Sequence, residues 1–260
     1  MAGNVLSSDI DSYIIYKHSG FSSTVSDSFS SPLTNPYDVT WDGTNALSIE
    51  KISGQGNYYK FSGFTSTVIT SFITTATQNV TGIAWDGINV LSGDTGNDKI
   101  FKFSGFTSTV SGSFSSPLTS EMGVAWDGAN IISSNRNTTD GGGRIYLHSG
   151  FTTTISSSFL TGGNEVGIAG VAWDSNNLLV TAPDNYNFYN KIFRHSGFSS
   201  TISSSFSSPG TAPFGVADDS WSGVAAPSSY IKTINGLAKA SVKTINGLAI
   251  ESVKAWNGLA

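Results

Sequence analysis

The sequence predicts an all-β chain: a five-bladed β-propeller of four-stranded blades, its ring closed by strands from both ends, followed by a short C-terminal β-meander. Three observations predict it. A Ser-Gly-Phe landmark recurs at Gly20-Phe21, Gly63-Phe64, Gly105-Phe106, Gly150-Phe151 and Gly197-Phe198, its glycines 43, 42, 45 and 47 residues apart. A Trp-Asp landmark interleaves with it at Trp41-Asp42, Trp85-Asp86, Trp126-Asp127 and Trp173-Asp174, with a degenerate copy at Val216-Ala217-Asp218-Asp219. Self-similarity at this period means blades or solenoid turns. The composition then selects strands: 29 Gly, abundant Ser and Thr and only 12% charged residues suit short strands joined by tight turns, and no window shows helical periodicity.

Each repeat divides into four strand-like runs, a to d. Around the third Trp-Asp copy, residues 123–126 read as strand a, 130–133 as b, 144–148 as c and 154–159 as d. Asp127-Gly128 reads as a two-residue hairpin turn between a and b, and Gly150 marks the turn between c and d. Alternation along strand a puts Val124 and Trp126 on one side and Gly123 and Ala125 on the other, so a bulky face can pack on the small face of the next blade. The chain opens in mid-repeat, with residues 4–7 as strand b. The missing strand a is supplied by residues 215–219, which seals the ring and removes its open edges.

After Pro227 the period shortens to 11. Thr233-Ile234-Asn235-Gly236-Leu237-Ala238, Thr244-Ile245-Asn246-Gly247-Leu248-Ala249 and Ala255-Trp256-Asn257-Gly258-Leu259-Ala260 are its three copies. Asn-Gly is a strong hairpin signal, which predicts nine-residue strands over 237–245 and 248–256. So small a sheet buries too little surface to stand alone. The expected organisation is a propeller over 1–223, a linker over 224–229 and a β-repeat tail over 230–260 that attaches the protein to an assembly or joins copies.

Composition also narrows function. A net charge of -5 without any basic block gives no footprint for nucleic acid. Without cysteine there is no disulfide framework, thiol nucleophile or thiolate metal site. No run approaches the length of a membrane span, and Met1-Ala2-Gly3-Asn4 lacks the charged and apolar regions of a signal peptide, so synthesis in the cytoplasm is expected.

The titratable residues mostly read as structure. Asp42, Asp86, Asp127, Asp174 and Asp219 sit where turn chemistry wants aspartate. His18, His148 and His195 share one repeat position with Phe61 and Phe103, which marks a packing slot. Asp94-Thr95-Gly96-Asn97-Asp98 is rich in oxygen ligands but lacks the full calcium-loop pattern, so no cofactor is expected and calcium is the minor alternative. The four glutamates, Glu50, Glu121, Glu165 and Glu251, stand at unrelated repeat positions and form no glycosidase pair. An enzyme is not expected.

Binding is. In a four-stranded blade the a–b and c–d turns share one face of the ring, and here they are monotonous. The b–c connections on the other face differ from blade to blade, at residues 8–11, 50–57, 94–98, 135–143 and 184–190. Loops on a rigid scaffold are where recognition concentrates. Tyr186, Phe188 and Tyr189 are candidates for stacking on a sugar or an apolar partner, and Asn185, Asn187, Arg136, Asn137 and Asp94 for hydrogen bonding.

The blade text, Gly123-Val124-Ala125-Trp126-Asp127-Gly128 with His148-Ser149-Gly150-Phe151-Thr152, resembles propeller repeats of tailed-bacteriophage and bacterial surface proteins. The tail text, Ser241-Val242-Lys243-Thr244-Ile245-Asn246-Gly247-Leu248-Ala249, resembles a short repeat of phage structural proteins that lies beside adhesive modules. Blade number and size are similar to five-bladed tachylectin-type lectins, though no binding residue maps across. These resemblances imply a virion structural or adhesion protein, a tail-fibre or decoration component on a particle surface. Other virion or surface-assembly proteins would meet its tail, host glycans would meet its propeller, and the chain would act as a homo-oligomer or assembly component. The alternatives are a carbohydrate-binding lectin and, behind it, an extracellular glycosidase.

Overall fold

The computed structural model describes residues 3–52, 55–136, 143–162, 167–183 and 190–220, with the pairs 233–234, 237–238, 244–245 and 248–249. The chain divides into two compact units, residues 1–225 and 226–260. All regular structure among the described residues is β-strand.

The first blade begins with β1 (Val5–Asp9), β2 (Ile14–His18) and β3 (Val25–Ser30). The second is β4 (Pro36–Trp41), β5 (Ala46–Ile52), β6 (Gln55–Phe61) and β7 (Val68–Thr74). The third is β8 (Val80–Trp85), β9 (Val90–Asp94), β10 (Lys99–Phe103) and β11 (Val110–Ser115). The fourth is β12 (Glu121–Trp126), β13 (Ile131–Asn135), β14 (Arg144–His148) and β15 (Ile155–Leu160). The fifth is β16 (Val171–Trp173), β17 (Leu178–Ala182), β18 (Lys191–His195) and β19 (Ile202–Ser207). A last strand, β20 (Pro213–Asp218), returns to the first blade and pairs antiparallel with β1 through Val5–Asp218, Leu6–Ala217, Ser7–Val216 and Ser8–Gly215. The ring is a closed five-bladed propeller, as the strand phase of the two ends predicts.

Closure rebuilds a complete repeat turn from two distant pieces of chain. In the intact second blade, Asp42 Oδ1 accepts the Asn45 amide at 2.7 Å, and Asn45 Oδ1 accepts the Gly63 amide at 3.0 Å. In the first blade Asp219 plays the aspartate and Asn4 the asparagine. Asp219 Oδ1 accepts the Asn4 amide at 2.6 Å, its Oδ2 accepts Asn4 Nδ2 at 2.9 Å, and Asn4 Oδ1 accepts the Gly20 amide at 3.2 Å. The break in the chain is thus bridged by hydrogen bonds that other blades make within one loop.

These a–b turns differ from the expected two-residue hairpin. Trp41 pairs with Ala46, so four residues, 42–45, make the loop. Only Gly43 in it has positive φ, at 96°. Asp42 acts through its side chain, Oδ1 taking the amides of both Thr44 and Asn45, which folds the loop without a left-handed aspartate. The c–d turns do need glycine: Gly20, Gly63, Gly105, Gly150 and Gly197 lie at φ of 61° to 66°.

Neighbouring blades interlock by the same contacts at every seam. A phenylalanine of each outermost strand meets edge-on the phenylalanine of the next blade's Ser-Gly-Phe turn: Phe29 with Phe64, Phe72 with Phe106, Phe114 with Phe151, Phe159 with Phe198, and Phe206 with Phe21, at centroid distances of 4.8 to 5.1 Å. Such pairs contribute roughly 1 kcal/mol each beyond their buried area. Nearer the axis the bulky face of one strand a packs on the small face of its neighbour, as Val124 and Ile131 do on Ala84 and Leu91. The close approach requires glycine. A Cβ on Gly82 would stand 2.7 Å from the Val124 amide nitrogen.

Two expectations change. The second blade's b–c connection is much shorter than 50–57, because β5 and β6 pair as far as Ile52 and Gln55. In the tail, the Asn-Gly hairpins form at two copies as β21 (Thr233–Ile234) with β22 (Leu237–Ala238), and β23 (Thr244–Ile245) with β24 (Leu248–Ala249). The four form two separate two-stranded sheets. Most of the nine-residue strands expected there, and the third copy, lie outside the described residues.

Candidate functional site

The two faces of the ring are built differently. On the a–b and c–d face the turn aspartates are neutralised from strand c: Lys17 with Asp219 at 2.8 Å, Lys60 with Asp42 at 2.7 Å, Lys102 with Asp86 at 2.7 Å, and Arg194 with Asp174. Burial pushes the Asp42, Asp86 and Asp219 carboxyls up, but the lysine and the turn amides more than offset it and hold each below its ordinary value. The fourth blade carries Leu147 at the basic position, so Asp127 keeps its turn bonds without an ion pair. The carboxylates therefore form a set of turn caps, as their spacing implied.

On the opposite face strand b of four blades carries, at or near its end, a buried polar residue that reaches the preceding d–a loop. Asp9 Oδ2 accepts the Ala212 amide at 2.7 Å, Glu50 takes the Ser31 hydroxyl, Asp94 Oδ2 accepts the Gln78 amide at 2.6 Å, and Asn135 Nδ2 donates to the Thr119 carbonyl. Asp94 Oδ1 also accepts the amides of Asn79, Gly96 and Asn97. Asp94 is thus wholly buried and anchors two loops from beneath. Sequence inspection missed this Asp-Glu-Asp-Asn set because it stands just outside the landmarks. Burial raises Glu50 to about 7, against the Ser31 and Leu33 bonds that lower it.

Of the other recognition candidates, Arg136 is half-buried beside Gly167, its amide donating to the Ser120 carbonyl at 3.4 Å. Asn137, Asn185, Tyr186, Asn187, Phe188 and Tyr189 lie outside the described residues.

The three histidines fill interior slots. Each is fully buried against the phenylalanine of the preceding blade, His18 on Phe206 at 4.9 Å, His148 on Phe114 at 5.2 Å and His195 on Phe159 at 5.6 Å. Phe61 and Phe103 make the same contact with Phe29 and Phe72. His18 and His148 Nε2 lie 3.0 Å from the hydroxyls of Ser7 and Ser133. Burial lowers His18 to about 4 and His148 in the same direction.

Two departures from the repeat break the ring's symmetry. Asp38 stands where the other innermost strands carry Gly82, Gly123, Gly170 and Gly215. Its carboxylate is fully buried, with Oδ1 accepting the amides of Val39 at 2.8 Å and Val216 at 3.3 Å, and Oδ2 that of Ile83 at 2.9 Å. One side chain so ties three blades together near the axis. Burial raises its carboxyl well above the ordinary range, with the three amides opposing. The space lined by Thr40, Ala84, Ala125, Ala172 and Ala217 of the five innermost strands is only about 20 Å³, room for about one water.

The second departure is Asp218, which replaces the tryptophan found at 41, 85, 126 and 173. Among the described residues the seam between the fifth and first blades holds a cavity of about 300 Å³, lined by Gly3, Asp174, Ser175, Asn176, Asn177, Arg194, Asp218 and Ser220.

No protein-family profile and no curated protein matches the chain. Among solved structures it is similar to a chain of the nidogen/laminin complex, with a TM-score of 0.55 and 13% identity over 84% of this chain and 98% of that one. A glutaminyl cyclase from Myxococcus xanthus follows with a TM-score of 0.49 and 12% identity, over 70% of each chain. The first likeness is one of fold: it agrees with a β-propeller and carries no activity with it.

Proposed function

We propose that this protein is a non-catalytic recognition and assembly module, a fibre or decoration component of a phage-like particle, whose propeller presents a binding face and whose tail joins it to the assembly. The observation that supports the reading is the division of labour between the two faces. One face is five nearly identical turns with their hydrogen-bonding groups satisfied internally. The other is built of connections that differ in length and chemistry, held from beneath by buried Asp9, Glu50, Asp94 and Asn135.

Catalysis finds less support. Asp218 apart, the buried titratable groups of the two faces act as turn caps, loop anchors or packing residues. The aromatic and amide side chains of 184–190 favour a glycan as the ligand, which is also the lectin alternative. Electron microscopy of the native source, together with glycan-array binding of residues 1–227, separates the two readings. Protein seated on particles supports the assembly role; a free protein that binds glycans without any particle supports the lectin.

A further inference from the structure

The seam between the fifth and first blades is the one place where the repeat gives up a large apolar side chain for a charge. At the other four seams Trp41, Trp85, Trp126 and Trp173 pack against the neighbouring cores. At this seam Asp218 stands in that place, only 4% exposed. A substitution that leaves a hole usually costs stability, so a polar cavity kept at a closure seam calls for an occupant.

Charge accounting identifies its chemistry. Three carboxylates meet here. Asp174 is paired with Arg194, which donates from both Nε and a terminal nitrogen, and its other oxygen takes the amides of Asn176 and Asn177. Asp219 is paired with Lys17. Among the described residues Asp218 has no cation: its Oδ1 accepts the Ser220 amide at 2.9 Å and the Ser220 hydroxyl, and its Oδ2 has no partner there. Arg194 and Lys17 are already committed, so among the described residues the unmet charge is negative. Gly3 keeps the wall thin, since a Cβ there would collide with the Asp218 carboxylate.

We propose that this cavity is a binding site for a small polyhydroxylated primary amine, an amino sugar, with its ammonium on Asp218 Oδ2. About 300 Å³ is far more than an ion needs and matches the small end of ligand pockets. One free carboxylate among serines and asparagines is too few hard ligands for calcium, which takes six to eight oxygens. The side chains of Ser175 and Asn176 are suited to hydroxyl groups, while Asn177 is held in its turn by Asp174 and the Gly197 amide. Independently, burial raises the Asp218 carboxyl, and the neighbouring charges of Asp174 and Asp219 raise it further, a penalty that a bound ammonium relieves. The site lies on the uniform turn face, so it stands or falls separately from the recognition face.

Titration calorimetry with glucosamine, against glucose as the neutral isostere, tests it in the whole chain. The wild type is expected to bind glucosamine and not glucose. Asp218→Asn keeps the shape and loses the charge, and should weaken glucosamine binding by about tenfold or more. Asp218→Trp restores the repeat, fills the cavity, and should abolish binding while raising the melting temperature. Absence of glucosamine binding to the wild type, equal binding of glucose, or undiminished binding by Asp218→Asn overturns the proposal.

Discussion

The turn face and the loop face of this ring hang from the same strands, yet they obey different rules. On the turn face each blade repeats one solution: an aspartate cap, an asparagine bridge to the next turn, a left-handed glycine. On the loop face only the anchoring position recurs, as Asp9, Glu50, Asp94 and Asn135, while the chain beyond it changes from blade to blade. A repeat fold stays closed if its seams are constant, which leaves the loops beyond the anchors free to vary.

The largest effect should come from breaking the constant side at its one discontinuity. Deleting residues 1–7 removes most of β1 and the Asn4 half of the closing turn, leaving β20 and β2 unpaired at an open edge. Aggregation or loss of a single cooperative transition is expected; calorimetric unfolding like that of the intact chain would contradict closure by these residues.

Next comes the axial tie. Asp38→Ala strands the buried amides of Ile83 and Val216 in two neighbouring blades, and should cost about 4 kcal/mol in denaturant unfolding. A cost under about 1 kcal/mol would mean that the tie is dispensable.

The histidine slots give a pH signature of similar size. With His18 near 4 in the fold and about 6.5 unfolded, the unfolded chain binds the extra proton between those values. Stability from this group is therefore full above pH 6.5 and lost as pH falls toward 4, by roughly 3 kcal/mol in all. Glu50 acts in the opposite sense, favouring the fold at low pH and losing that advantage as pH rises from about 4.5 to 7. His18→Phe, the residue of the equivalent slots, should remove the acid-side loss. Stability measured from pH 7 to 4 should then fall less in the variant than in the wild type.

The smallest effect is the completion of a pattern. Leu147→Lys gives Asp127 the partner its four counterparts have, and a gain within about 0.5 kcal/mol is expected, since the lysine's desolvation and lost side-chain freedom offset most of the pair's attraction. Destabilisation in thermal melts would show that Leu147 matters more for its packing on the fourth seam.

Much of this was legible in the sequence because repetition makes each landmark its own control. The interchange of His18 with Phe61 marked a packing slot before any contact was known, and the strand phase of the two ends announced the closure. What stayed hidden was set by side chains acting outside the landmarks. Asp127 looked like the first residue of a two-residue hairpin, whereas its carboxylate, like that of Asp42, holds a four-residue loop. Asp94 read as a surface ligand because acidic loop residues usually are, and only the fold shows four amides converging on it. Asp38 and Asp218 each depart from the repeat at one position, and spacing alone does not say whether such a departure fills an axis or opens a cavity.

The central claim, that recognition of the particle or glycan partner belongs to the variable loops and not to the c–d turns, is tested by paired substitutions on the two faces. Tyr186, Phe188 and Tyr189 changed together to Ala remove three aromatic side chains from one b–c connection. Ser66, Ser108 and Thr153 changed together to Lys place bulk and charge on exposed c–d turn positions of the other face. Binding of both variants to glycan arrays and native particles should be compared with the wild type after confirming equal melting temperatures. The account predicts that the aromatic variant loses at least about tenfold in affinity, on the scale of a lost aromatic hot spot, while the turn variant binds like the wild type. Loss confined to the turn variant would contradict it.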